Sequence, residues 1–132
     1  PCRRNVGGVN LDPVDVVRDM RTAAAANGII VAFHVYVALA WEGLWFLIPV
    51  IIVGALIAGA ALTKGRLGAG LLALPTAGYL LLIPELIDAL SSENTPGIME
   101  YALIPFWFAT IVVNLLVIYT EWTSAPHRSS EA

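Results

Sequence analysis

Residues 22–63 read TAAAANGIIVAFHVYVALAWEGLWFLIPVIIVGALIAGAALT, a run of 42 positions without a lysine or an arginine. A second run of 61 positions without either cation covers residues 67–127. A cation at the centre of a bilayer costs roughly 2.5–3.5 kcal/mol on the insertion scale, and a helix needs about 20 apolar residues to cross the hydrocarbon. The first run therefore has room for two spans joined by a tight turn, and the second for two spans joined by a longer loop.

The overall composition agrees with this interpretation. Of 132 residues, 58% are hydrophobic and 13% are charged, and the mean hydropathy is +0.79. Soluble domains average about 45–50% apolar and about 25% charged residues. The formal net charge of -3 and the single lysine also argue against a nucleic-acid binder, which needs a basic surface to neutralise phosphates. We therefore expect an integral membrane protein with no nucleic-acid partner.

We predict an all-α integral membrane protein whose four transmembrane helices form two antiparallel hairpins. The helices are predicted at residues 22–41, 44–63, 67–89 and 99–120. The hairpin turns coincide with Glu42-Gly43 and with the turn-forming residues around Pro96-Gly97. The chain then divides into a cytoplasmic N-terminal segment with a short amphipathic helix (1–21), a transmembrane domain (22–120) and a cytoplasmic tail, expected to be disordered (121–132).

The positions of the lysines and arginines predict how the spans are oriented in the membrane. All seven lysines and arginines fall on one side of the four-helix arrangement. The positive-inside rule then places both termini in the cytoplasm of a multi-pass protein of the plasma (inner) membrane. An alternative with three spans treats residues 28–41 as a re-entrant or interfacial helix, but it leaves Lys64 and Arg66 outside the cell.

The N-terminal segment carries a helix-start signal, with Asp12 at the N-cap position and Pro13 after it. Val14 and Val17 would share a face against lipid or a partner, although a cytoplasmic extension of helix 1 is the simpler alternative. The cations expected at lipid phosphates are Arg18, Arg21, Lys64 and Arg66.

Small residues recur at four-residue spacing in helices 2 and 3, which lets neighbouring backbones approach closely. Because lipid provides no hydrophobic drive for helix association, we interpret this pattern as internal helix packing, with a dimer or partner seam as the alternative. The predicted packing residues are Gly54, Ala55, Ala58, Gly59, Ala69, Ala73 and Ala77.

His34 is the ionisable residue well inside a predicted span, about 18 Å along helix 1. Because an ionisable group inside a membrane is costly, such a residue is by default a candidate functional residue. We expect a neutral ring hydrogen-bonded to a neighbouring helix, and no cofactor. A pigment with His34 as its one axial ligand is the alternative, since a second intramembrane histidine for a bis-histidine haem is missing from the predicted spans.

Polar residues inside the spans fall into two predicted layers when depth is counted from the cytoplasmic ends. His34, Thr76 and Thr110 fall near the middle of the bilayer, and Asn27 and Asn114 lie closer to the cytoplasm. We interpret these layers as hydrogen bonds between helices, with the lining of a narrow polar path as the alternative.

Helices 3 and 4 contain Pro75, Pro84 and Pro105, each expected to kink its helix. Glu85 and Asp88 share a helical face at the predicted outer end of helix 3. They could form an acid/base pair or bind a metal, but an acidic outer surface is the simpler interpretation, and we predict no metal site.

The chain contains none of the common catalytic motifs. We therefore predict a non-enzymatic accessory or assembly subunit of a larger membrane protein complex, whose partners are membrane lipids and other integral membrane subunits. The alternative is a small homo-oligomeric transporter or channel with a polar path through His34, and a third hypothesis is a lipid-directed enzyme using Glu85 and Asp88. The residues predicted to contact a partner or lipid are Trp45, Phe46, Phe106, Trp107 and Phe108.

Overall fold

A computed structural model describes residues 12–63, 65–91 and 98–124, and every regular element in these ranges is helical. The α-helices are α1 (Pro13–Val17), α2 (Met20–Val37), α3 (Leu47–Thr63), α4 (Gly65–Leu81), α5 (Ile83–Ser91) and α6 (Ile98–Thr123). The predictions for Lys64, for the loop at 92–97 and for disorder beyond residue 124 lie outside the described residues.

Four stretches of the described chain are long and apolar enough to cross a membrane. They are Met20–Ala40, Leu44–Thr63, Gly65–Glu85 and Ala102–Thr123, with 21, 20, 21 and 22 residues. Each length matches the roughly 20 residues that one crossing requires. The prediction of an all-helical protein with four such helices is therefore confirmed.

A short break separates α1 from α2. The Oδ1 atom of Asp12 accepts a hydrogen bond from the Val14 amide at 3.1 Å, and Pro13 occupies the first turn of α1. Asp19 then caps α2 by accepting from the Arg21 amide at 3.3 Å. Because Asp19 is in an extended conformation, α1 is a separate five-residue helix and not an extension of the first span.

The turn between α2 and α3 depends on one glycine. The last turn of the first span widens into a π-helical turn at Ala38–Glu42, and Gly43 follows with a φ of 83° and a ψ of 172°. This conformation is accessible to glycine and strained for other residues. A short 3-10 turn at Leu44–Phe46 then leads directly into α3.

The third predicted helix is divided in two, because the chain leaves α4 at Leu82 and begins α5 at Ile83. Pro84 lacks an amide hydrogen, and its ring would collide with the carbonyl four residues earlier in a continuous helix. Pro75 and Pro105 lie within the uninterrupted α4 and α6. The last helix extends to Thr123, so the predicted tail boundary at residue 121 falls inside its final turn.

The four spanning helices pack in a ring, with α2 against α3, α3 against α4, α4 against α6, and α6 against α2. Two buried apolar clusters fill the interior. One contains Met20, Ala23, Ala60, Leu72 and Val117, and the other contains Ile30, Tyr79 and Ile111. We name these the lower and upper apolar layers.

The described glycine with the least room for a side chain is one that the small-residue pattern did not single out. A Cβ atom on Gly68 of α4 would lie 2.9 Å from the Ala60 carbonyl oxygen and 3.3 Å from the Met20 Cε atom. The 2.9 Å contact with a backbone oxygen is shorter than real Cβ contacts, so a side chain at Gly68 would require a shift of the backbone. Gly68 therefore sets the spacing between α3 and α4.

The predicted packing residues divide between the interior and the outer surface. A Cβ on Gly54 or Gly59 would touch a side chain of α2 or α4, at 3.6 and 3.2 Å respectively, and Ala69 is fully buried. Ala73 is half-buried. The exposed members of the predicted set are Ala55, Ala58 and Ala77.

Candidate functional site

The centre of the bundle is a polar cluster formed by Asn27 of α2, Thr76 of α4 and Asn114 of α6. Asn27 Nδ2 donates to Asn114 Oδ1 at 2.7 Å, and Asn114 Nδ2 donates back to Asn27 Oδ1 at 3.2 Å. Asn114 Nδ2 also donates to Thr76 Oγ1 at 3.0 Å. The three residues are 0–2% exposed, so the cluster is shielded from solvent and lipid alike.

Every hydrogen of this polar cluster is used. The second amide hydrogen of Asn27 goes to the Ala23 carbonyl at 2.7 Å, and the Thr76 hydroxyl donates to the Leu72 carbonyl at 2.7 Å. Both amide oxygens accept, so the cluster is satisfied without water. A fully satisfied buried network adds specificity to a core instead of a desolvation penalty.

The polar cluster lies between the two apolar layers along each of its helices. On α2, Asn27 stands between Ala23 and Ile30, and on α4, Thr76 stands between Leu72 and Tyr79. The same order holds on α6, where Asn114 is flanked by Val117 and Ile111. Apolar side chains therefore close the cluster on both sides.

Counting residues from the cytoplasmic helix ends placed Thr76 in the layer of His34 and Thr110, whereas the structure places it with Asn27 and Asn114. Thr76 is bonded to Asn114, whereas Thr110 is buried separately and donates to the Phe106 carbonyl at 2.8 Å. The count assumes that every helix begins at the same depth, and a difference of one turn, about 5.4 Å, moves a residue from one layer to the next. Asn27 and Asn114 were assigned to one depth, and they are the residues that the structure joins.

His34 is half-buried beyond the upper apolar layer, about 10 Å along α2 from Asn27. Its Nδ1 lies 2.8 Å from the Ile30 carbonyl oxygen, so Nδ1 carries a hydrogen and donates it within its own helix. The predicted hydrogen bond to a neighbouring helix is therefore wrong. The other helices instead present aromatic rings, with Phe46 at 6.2 Å and Trp107 at 6.4 Å between ring centroids.

A cavity of about 180 Å³ lies beside His34. Its walls come from α2, the 3-10 turn, α3 and α4, and they are almost entirely apolar. Besides His34 they include Ile30, Phe46, Val50, Val53 and Tyr79. Ordinary ligand pockets measure about 300–1,000 Å³, so this cavity has room for one ring-sized group and not for a tetrapyrrole macrocycle.

Two buried hydrogen-bond donors at the upper apolar layer lack partners. In the described part of the chain, the Tyr79 hydroxyl and the Trp107 indole nitrogen are the buried side-chain polar atoms without a hydrogen bond. Their rings meet edge to face, with centroids 5.7 Å apart. A buried unsatisfied donor costs roughly 1–3 kcal/mol, so both atoms mark a place where a further acceptor would be stabilising.

Of the aromatic residues predicted to contact a partner or lipid, some are exposed and others pack inside the bundle. Trp45 is 84% exposed and Phe108 is 39% exposed, so both are available to lipid or to another protein. Phe46 faces the cavity, and Phe106 and Trp107 pack against the upper apolar layer.

The predicted phosphate-binding arginines that the structure describes are exposed at one end of the bundle. They are Arg18, Arg21 and Arg66. Arg66 lies over the Trp122 ring at 5.9 Å, and the neighbouring Gly65 amide donates to Glu121 Oε2 at 2.7 Å. Glu121 thus caps the start of α4 from the end of α6, a role that the sequence analysis missed.

Glu85 and Asp88 are both exposed on α5. In the described ranges, no three histidine, cysteine or carboxylate side chains are grouped closely enough to hold a metal ion. The interpretation of these two carboxylates as part of an acidic outer surface stays a prediction.

The chain matches no protein-family model, no curated protein and no solved structure. The functional argument therefore depends on the geometry of the bundle.

Proposed function

We propose that this chain is a non-enzymatic integral membrane protein that serves as an accessory or assembly subunit of a larger membrane protein complex. In this proposal its four helices cross the plasma (inner) membrane as two antiparallel hairpins with both termini in the cytoplasm. Its partners are lipids and other integral membrane subunits. The observation that carries the proposal is the closed polar cluster between two apolar layers.

A transport path needs polar groups that water or a substrate can reach. Asn27, Thr76 and Asn114 use all of their hydrogens on one another and on backbone carbonyls. The upper apolar layer separates them from His34. This arrangement favours a bundle that is held together by its interior and that acts through its surface, over a conduit through His34.

The outer surface near the α2–α3 turn is suited to contact. Leu39, Leu44 and Trp45 are exposed there, and they place a large rigid aromatic ring among aliphatic side chains. Aromatic residues are enriched at the energetic centres of protein interfaces and also at membrane interfaces. Recovery of a partner subunit with Trp45→Ala distinguishes a protein interface from a membrane interface at this position.

The proposed orientation and the proposed antiparallel topology each have one support. Arg18, Arg21 and Arg66 are exposed at the end of the bundle where α2 and α4 begin. The layers occur in ascending residue order along α2 and α4 and in descending order along α6, as expected when α6 runs in the opposite direction.

The decisive experiment is purification of the tagged protein from native membranes in mild detergent, with quantitative mass spectrometry and an absorption spectrum of the eluate. We expect a foreign membrane subunit at a fixed stoichiometry, recovered reciprocally when that subunit carries the tag. Trp45→Ala should reduce its recovery, while Trp122→Ala, which removes an exposed tryptophan at the other end of the bundle, serves as the matched control.

A homo-oligomer without foreign subunits would contradict this proposal. Reconstitution into liposomes then tests the transport alternative directly. A proton or ion flux that is abolished by His34→Ala would replace the accessory role with a small homo-oligomeric transporter, and a pigment band in the eluate would make His34 its candidate ligand.

A further inference from the structure

A groove between α1 and α6 combines an apolar surface with one positive charge. It has a volume of about 320 Å³, and the described residues that line it are Pro13, Val14, Val17, Arg18 and Leu116. The arginine is the charged member of this set, and the other four side chains are apolar. We name this feature the α1–α6 groove.

The position of α1 creates the α1–α6 groove. The Thr22 hydroxyl donates to the Val16 carbonyl at 2.6 Å, and α1 packs against both α2 and α6. Val14, Val17 and Arg18 recur at three- and four-residue spacing, which places them on one side of α1 and its C-cap. The apolar surface and the charge are therefore presented together.

The α1–α6 groove lies near the end of a spanning helix. Leu116 is in the stretch Ala102–Thr123, about 10 Å before its last residue. Closer to that end, Tyr119 and Trp122 are 69% and 57% exposed on α6. Tyrosine and tryptophan are enriched where a spanning helix passes from hydrocarbon to headgroups. In the proposed membrane, the groove therefore lies at the level where acyl chains meet phosphates.

The charges around the groove favour an anionic occupant. Arg18 is exposed, and its flexible stem lets the guanidinium reach a phosphate at the edge of the groove while the stem lines it. A guanidinium can bind phosphate oxygens through paired hydrogen bonds. The nearby carboxylates of Asp12, Asp15 and Asp19 are not part of the described lining. Asp12 and Asp19 instead accept backbone hydrogen bonds at the starts of α1 and α2.

We propose that the α1–α6 groove binds one phospholipid with a net negative headgroup. Its phosphate contacts Arg18, and an acyl chain lies against Val17 and Leu116. A phosphatidylcholine would present the same chains, but its quaternary ammonium group would offset the attraction between its phosphate and the guanidinium. A free phosphate would leave the apolar lining uncovered. This inference rests on the proposed membrane location, and it does not depend on the accessory role.

Lipid binding can be measured by native mass spectrometry of the delipidated protein in detergent. The protein is titrated with phosphatidylglycerol or with phosphatidylcholine of the same acyl chains, so that the two probes differ in the headgroup alone. We expect one phosphatidylglycerol per chain, bound about fivefold more tightly than phosphatidylcholine, as expected for one cation near an anionic lipid surface.

Two pairs of variants locate the site. Arg18→Gln should remove the preference for phosphatidylglycerol, whereas Arg18→Lys keeps the positive charge and should retain most of it. Leu116→Trp fills the groove from α6 and should abolish the selective binding. Leu115→Trp places the same side chain at the neighbouring exposed position, outside the described groove lining, and should leave the binding unchanged.

Three outcomes would overturn the proposal. One is equal affinity for the two lipids. Another is phosphatidylglycerol binding that is unchanged in Arg18→Gln or in a folded Leu116→Trp, which would place the lipid elsewhere on the protein. The third is a dimer without bound lipid that Leu116→Trp dissociates, which would assign the groove to a second copy of the chain. If Leu116→Trp does not fold, the two Arg18 variants decide.

Failure of this inference is distinguishable from failure of the proposed function. The titration uses the isolated chain and defined lipids, so its result does not depend on any other subunit. The accessory role fails separately, when no foreign subunit is recovered from native membranes.

Discussion

Asn27 and Asn114 exchange reciprocal side-chain hydrogen bonds across 87 positions of the chain, at 2.7 and 3.2 Å, while both residues are fully buried. The pair joins the first spanning helix to the last. Each amide has a further partner, in the Ala23 carbonyl or the Thr76 hydroxyl. Because lipid offers no alternative partners to these groups, the pair defines how α2 and α6 face each other.

A double-mutant cycle measures the coupling of this pair. Asn27→Ala and Asn114→Ala should each lower the free energy of unfolding by about 1–3 kcal/mol, because each leaves the other amide partly unsatisfied. The coupling energy should be about 0.6–1.7 kcal/mol, which lies between the average and the maximum found for side-chain hydrogen bonds between membrane helices. Unfolding in mixed detergent micelles provides the measurement. Combining Asn27→Ala with Thr123→Ala, whose hydroxyl bonds within its own helix, should show additivity. Additivity of the two asparagine variants would contradict the structure.

The close approach at Gly68 is tested by comparing two glycines of α4. Gly68→Ala forces a Cβ against the Ala60 carbonyl, and the resulting backbone shift should cost about 1–3 kcal/mol of unfolding free energy. In Gly70→Ala the new Cβ meets nothing within 4 Å, so this variant should be neutral or slightly stabilising. Equal unfolding midpoints for the two variants would show that α3 and α4 are farther apart than described.

The contact between Glu121 and the Gly65 amide predicts a local exchange effect. Glu121→Ala removes the acceptor, so hydrogen exchange at the Gly65 amide should accelerate by about tenfold or more, as expected for loss of a charge-assisted bond of about 1.5–3 kcal/mol. Glu121→Gln keeps an acceptor oxygen without the charge and should give an intermediate rate. Amides in the middle of α4 should be unaffected, and a uniform acceleration along the helix would mean global destabilisation instead.

The proposed orientation predicts the reactivity of engineered cysteines. The chain contains one cysteine, Cys2, so a Cys2→Ser background leaves single sites to be introduced. A membrane-impermeant maleimide should label Leu44→Cys in intact cells and Ser124→Cys after permeabilisation alone. Both positions are exposed, so burial does not confuse the comparison. The reverse pattern would invert the orientation, and labelling of both in intact cells would put them on the same side.

The number of spans was predictable because the cost of a cation in lipid is large and local, so Lys64 and Arg66 mark in the sequence the boundary between the second and third predicted spans. The break at Leu82 follows from Pro84, but Pro75 and Pro105 are equally visible in the sequence and lie in continuous helices. The effect of a proline depends on the surrounding packing, which a single sequence does not display.

The contacts in the interior of the bundle were harder to predict. The depth of a side chain, and the neighbouring helix that it faces, depend on where each helix begins and how it tilts. Asn27 and Asn114 were assigned to one depth, whereas Thr76 was assigned a turn too high. Tyr79 was not singled out at all, since a tyrosine in an apolar helix has no distinctive pattern. Its position three residues after Thr76, on the same face of α4, was the available signal.

The asparagine pair also has a consequence for the order of events during synthesis. Asn27 belongs to the first of the four described spanning helices in chain order and Asn114 to the fourth, so Asn27 is synthesised before its partner. Until α6 arrives, the Asn27 amide keeps its hydrogen bond to the Ala23 carbonyl within α2 but lacks the bonds to Asn114, and burial of a partly unsatisfied amide carries a cost. A bundle of α2, α3 and α4 without α6 therefore differs from the four-helix bundle by one partly unsatisfied side-chain amide, and insertion of α6 supplies the partner of that amide.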